Sequence, residues 1–184
     1  MMSNQQLASE INEAEVSMII LPKESYSEQI INLMKVVTEN YLKICYITIN
    51  KSCATLTKEF EKHQIDTTKL VFIDASPGDH KKRAQKGKYV FIESAGNLTQ
   101  ISIEFSKFLN MMKINNSIFD SIDMLKFYVD WKTIIRFVHE IISRVRTSGS
   151  RIILITSSEE ESLEITRDLY IFVDRIINLA KNSV

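Results

Sequence analysis

Residues 16–37, VSMIILPKESYSEQIINLMKVV, constrain the fold more than any other stretch. The run Val16–Leu21 is almost wholly apolar and stops at Pro22, as a strand covered on both faces should. A helix follows in which Ile30, Leu33, Met34, Val37 and Tyr41 share one face. Ser25 or Ser27 is placed to cap it, and Glu28, three residues past Ser25, to complete a capping box. The pattern then repeats. Residues 44–49 (ICYITI) read as a second buried strand, and Ser52 or Thr55 opens a second helix running to His63 with Leu56 and Phe60 turned inward. Residues 70–73 read as a third strand that ends at Asp74. Strands alternating with helices in this order require crossover connections. The expected class is therefore α/β, a three-layer α/β/α domain with a mainly parallel sheet.

The alternation breaks at residues 75–88, a polar loop carrying Lys81, Lys82, Arg83, Lys86 and Lys88. Residues 89–93 form a short strand that, with no helix before it, is expected to pair antiparallel with its neighbour. Ser94, Gly96 and Asn97 lead into a helix with Leu98, Ile101, Phe105, Phe108, Leu109 and Met112 on one side. Residues 117–120 are a strand. Residues 131–146 have the clearest helical period, with Trp131, Ile134, Ile135, Val138, Ile141, Ile142 and Val145 inward and Gly149 as the stop. A strand at 152–155, a helix at 158–170 and a last strand at 172–179 complete the pattern. Residues 1–15 read as a polar tail or short helix, and residues 16–184 as one domain of ordinary size.

Composition removes several function classes. Lys plus Arg equals Asp plus Glu, 23 each, so bulk charge favours neither nucleic acid nor a membrane surface. The basic stretch 81–88 has only Tyr89 beside it as an aromatic, which suits a solvated loop and disfavours nucleic acid. Cys45 and Cys53 form no CxxC pair, and two thiols in a chain this size suit a reducing compartment. No basic, apolar leader precedes Val16, and no apolar run approaches the roughly 20 residues that span a bilayer, so a cytoplasmic protein without membrane contact is expected. His63, His80 and His139 share no ligand spacing with the cysteines, so no metal site is expected. Met111, Met112 and Met124 read as core filler.

Four short texts carry a resemblance: FIDASP at 72–77, FDS at 119–121, ILITSSEE at 153–160 and FVDRIINL at 172–179. In this order and spacing, residues 16–179 resemble the RecA-like ATPase superfamily, and most of all its KaiC-like branch. The resemblance implies a glycine-rich loop ending Gly-Lys-Ser/Thr after the first strand, to wrap phosphates and bind Mg²⁺. Residues 21–29 are LPKESYSEQ, without a glycine, so the backbone lacks the freedom that such a cradle needs. Gly87-Lys88 follows a different strand and has Tyr89 in place of the hydroxyl. The resemblance also implies paired glutamates after the second strand, where this chain has Asn50-Lys51, neither a general base near neutral pH. Asp120 alone stands where the family's Mg²⁺-directing aspartate stands.

Asp120, at a strand's carboxyl end, is placed either for a ligand or to cap the turn SIDM at 121–124. Asp74 resembles a phosphorylatable aspartate in position, but the acidic pair such sites need is replaced by Pro22-Lys23-Glu24, so a turn role is expected. The expected function is a pseudo-ATPase: not an enzyme, needing no cofactor, and regulatory or scaffolding through a protein partner or a homo-oligomer. The alternative is a sensor that binds a nucleotide without hydrolysis, with Lys23, Ser25, Ser27 and Asp120 around it.

Overall fold

The computed structural model describes residues 2–78, 88–159 and 167–180. Among them, seven strands form one sheet: Val16–Leu21 (β1), Ile44–Thr48 (β2), Leu70–Asp74 (β3), Tyr89–Phe91 (β4), Asn116–Asp120 (β5), Arg151–Ser157 (β6) and Arg175–Asn178 (β7). Their spatial order is β4-β3-β2-β5-β6-β1-β7, and every pairing is parallel. β4 thus departs from the antiparallel expectation, with Phe72 opposite Tyr89 and Asp74 opposite Phe91. The length of the connection explains it: a parallel return needs a crossover of about a dozen residues, and residues 75–88 are long enough to supply it.

Helices Asn4–Asn12 (α1), Tyr26–Asn40 (α2), Cys53–Lys62 (α3), Leu98–Met112 (α4) and Trp131–Ser148 (α5) cover the two faces. Strand alternation sorts the core. Ile19, Leu21, Ile44, Tyr46, Ile118, Ile153 and Ile155 meet α1, α2 and α3 on one side. Val16, Met18, Cys45, Ile47, Phe119, Ile152 and Leu154 meet α4 and α5 on the other. All five apolar residues expected along α2 are buried, as are Leu56 and Phe60 of α3.

Residues 1–15 contain a capped helix rather than a tail. Ser3 and Gln6 exchange the two bonds of a capping box, Leu7 and Ile11 are buried, and the Tyr41 hydroxyl donates to Asn12. The capping box expected at Ser25 and Glu28 does not form. A 3₁₀ turn at Lys23–Ser25 leads directly into α2, and Ser25 occupies the cap position without a side-chain bond. The expected helix at 158–170 lies mostly outside the described residues, which are helical at 167–169. The last strand, expected over 172–179, is confined to Arg175–Asn178.

Gly149 ends α5 at φ 66°, and an added Cβ there would meet nothing within 4 Å. Only the left-handed backbone itself then resists a side chain. Gly149→Ala is expected to lower unfolding free energy by about 1 kcal/mol in urea denaturation. An unchanged midpoint would refute this account of the cap.

Candidate functional site

Parallel strands align their carboxyl ends, so Leu21, Thr48, Asp120 and Ser157 share one edge of the sheet. α2 and α3, which follow β1 and β2, lie on one face, and α5, which follows β5, on the other. The edge of β5 is therefore a point where neighbouring connections diverge, the usual place for a crevice in such sheets. Asp120 ends β5 there. Its peptide bond to Ser121 is cis, and its side chain is buried.

Two phenols hold that carboxylate. Tyr26, the first residue of α2, donates to Oδ1 at 2.5 Å, and Tyr46 of β2 donates to Oδ2. Tyr46 reaches Asp120 because alternation turns it toward α2 and α3, where Phe60 and Phe72 flank its ring at centroid distances of 5.8 and 5.7 Å. Burial pushes the Asp120 carboxyl above its ordinary value, against the pull of the two hydrogen bonds, and nearby Asp123 adds to the rise. Burial, with the adjacent Asp120 carboxylate, pushes both Tyr26 and Tyr46 well above the usual phenol value.

A second polar layer surrounds this triad. Asp123, on the 3₁₀ turn Ile122–Phe127, accepts from the Ser157 hydroxyl at 2.6 Å and the Ser157 N–H at 3.3 Å, tying that turn to β6. Lys51 donates to Ser27 at 3.2 Å and pairs with Glu59 at 3.1 Å. Lys23, on the exposed turn before α2, pairs with Glu159 at 2.6 Å.

Of the four residues the sequence singled out, only Asp120 belongs to the buried cluster. Lys23 and Ser27 sit in the exposed layer, and Ser25 contributes no side-chain cap. Asp120 does not cap residues 121–124 either; its two oxygens go to the tyrosines. Asp74 does take a turn role, accepting from the Cys53 N–H, the Ser76 N–H and the Ser76 hydroxyl. The basic stretch 81–88 lies almost wholly outside the described residues. Both cysteines are buried and neither is in a disulfide. Among the described residues, no cluster of His, Cys, Asp and Glu could hold a metal ion, and no helix is long and apolar enough to cross a membrane.

Sequence reasoning missed Tyr26, Tyr46, Asp123 and Ser157. One signal was available. A tyrosine inside a buried strand must find a partner for its hydroxyl, and Tyr46 sits mid-strand in ICYITI.

The topology defines a three-layer α/β/α domain with a parallel sheet. A solved structure shares that fold. The KaiC-like protein PH0186 of the hyperthermophilic archaeon Pyrococcus horikoshii OT3 superposes with a TM-score of 0.61 over 92% of this chain and 74% of its own, at 12% identity. That likeness is one of fold. No protein-family model and no curated protein matches the chain.

Proposed function

We propose that this chain is a KaiC-like domain without ATP turnover, a regulatory or scaffolding module that acts in the cytoplasm by binding protein, either a competent relative or another copy of itself. One observation carries the reading. The carboxylate at the position that the resemblance gives to Mg²⁺ has both oxygens bonded to tyrosine hydroxyls, and Tyr26 comes from the segment where a phosphate loop would stand. Lys23, the cation nearest that turn in sequence, is paired with Glu159. A phosphate cradle needs glycine, an unengaged lysine and an open carboxylate. Here each is replaced or engaged.

A second reading, a nucleotide sensor without hydrolysis, draws on Lys23, Ser27 and Lys51 standing around the same edge. Thermal unfolding with ATP, ADP, GTP and cyclic nucleotides, with and without Mg²⁺, separates the two. Ligand at a hundred times its Kd adds about 2.7 kcal/mol, a rise of roughly 5–10 °C for a chain this size. The module reading expects a shift below about 1 °C. A rise of several degrees that vanishes in Lys23→Ala would replace it with the sensor.

A further inference from the structure

A cleft of about 620 Å³, a size usual for small-molecule sites, opens at the amino edge of the sheet, opposite Asp120. Three helix ends and a strand start wall it. Asn40 and Tyr41 end α2, Lys113 follows α4, Ser148 and Gly149 end α5, and Arg151 opens β6. Unpaired polar atoms collect beside this cleft. Arg151, in its wall, has a buried Nε–H with no acceptor among the described residues. Ser150, next to it and 3% exposed, has no partner for its hydroxyl. Asn116, opposite Arg151 in the β5–β6 register and 0% exposed, has none for either amide atom. Tyr41 does not supply one. Burial lifts its phenol, Arg151 and Asn116 pull the other way, and its proton goes to Asn12 Oδ1 at 2.5 Å. Buried polar groups are nearly always bonded, so four such atoms at one strand edge point to an occupant.

Charge narrows what that occupant is. Among the described residues, Lys113 and Arg151 line the cleft and no Asp or Glu does. The C-termini of α2, α4 and α5 oppose the two cations with partial negative charge, about −0.5 each. Two full positive charges exceed three half charges, so the cleft favours an anion by a small margin. The carbonyls at those helix ends call for hydrogen-bond donors as well. A bare inorganic anion meets only the first demand, whereas an anion carrying hydroxyls meets both. We propose that this cleft binds a small hydroxylated organic anion, a sugar phosphate or a hydroxy acid, at the sheet edge away from Asp120. The proposal goes beyond the protein-binding reading and does not depend on it.

Proton–nitrogen NMR titration of the full chain with glucose 6-phosphate, citrate and glucose, at constant ionic strength, tests it. Glucose 6-phosphate or citrate is expected to move the Arg151 Nε–H signal and the amide signals of Asn115, Asn116 and Ser150 saturably, with a Kd of about 1 mM or tighter. Which of the two does so tells a phosphate from a carboxylate ligand. Glucose, without the charge, is expected to move none of them. Lys113→Gln and Arg151→Gln should each weaken binding at least about 10-fold, and Lys132→Gln, at the far end of α5, should leave it unchanged. Lys113 is exposed, so its replacement reports on binding even where Arg151→Gln loses the fold. The absence of a saturable shift with either anion overturns the proposal, as do equal shifts with glucose or shifts that survive Lys113→Gln. None of these outcomes concerns ATP turnover or self-association, which test the proposed function separately.

Discussion

Asp120→Ala is expected to cost about 3–5 kcal/mol of stability in urea denaturation, a large share of the roughly 5–15 kcal/mol that holds a domain together. The change deletes the one acceptor that Tyr26 and Tyr46 share, leaving two buried hydroxyls that cannot be resolvated without opening the sheet edge. Asp120→Asn should cost clearly less. It keeps one acceptor oxygen and removes a charge that burial already disfavours, as the raised carboxyl value indicates. Tyr46→Phe should fall at about 1–2 kcal/mol, because the ring packing against Phe60 and Phe72 survives and only one bond is lost. Combining Tyr46→Phe with Asp120→Ala should cost less than the sum, since the two changes break the same contact. An Asp120→Ala cost below about 1 kcal/mol would mean that the triad does not hold the edge together.

Alkaline titration should show the same cluster from the other side. Tyr26 and Tyr46 have folded values well above the ordinary phenol value of 10.0, raised first by burial and then by the neighbouring carboxylate. Below pH 10 both states keep these protons, so the shift has no effect on stability. Above it the unfolded chain loses them while the folded chain does not. The unfolded state then binds fewer protons, and stability falls as pH rises. Two such phenols give a slope of about 2.7 kcal/mol per pH unit, enough to unfold the domain within a few units. Of the six tyrosines, Tyr26 and Tyr46 should ionise only together with the loss of circular dichroism. All six ionising near pH 10 with the fold intact would contradict the burial and the bonds. Asp120 works at the acid end: its raised value lets the folded state hold a proton more tightly, so its contribution is greatest in acid and falls as pH rises through the folded value.

The frame was legible because apolar periodicity is a local signal. Val16–Leu21, Leu70–Asp74 and the long amphipathic run from Trp131 each declare their own structure, and alternating strands and helices leave few topologies. β4 was misread because the direction of a short strand depends on what its connecting loop can span, not on its three residues. The helix in residues 1–15 was ambiguous because α1 is short and its burial depends on α2, which no local pattern announces. At the site, Asp120 was legible from its place at a strand end. Its partners were not: Tyr26 and Tyr46 lie 94 and 74 residues away, and only the register of β2 beside β5 brings Tyr46 within reach.

Magnesium-dependent ATP hydrolysis by the purified chain, measured beside Lys23→Ala and Asp120→Asn, tests the central claim most directly. With both Asp120 oxygens bonded to tyrosines, the proposed module should release phosphate at the buffer rate in all three proteins. Turnover above that rate in the native chain, dependent on Mg²⁺ and abolished by either substitution, would contradict it.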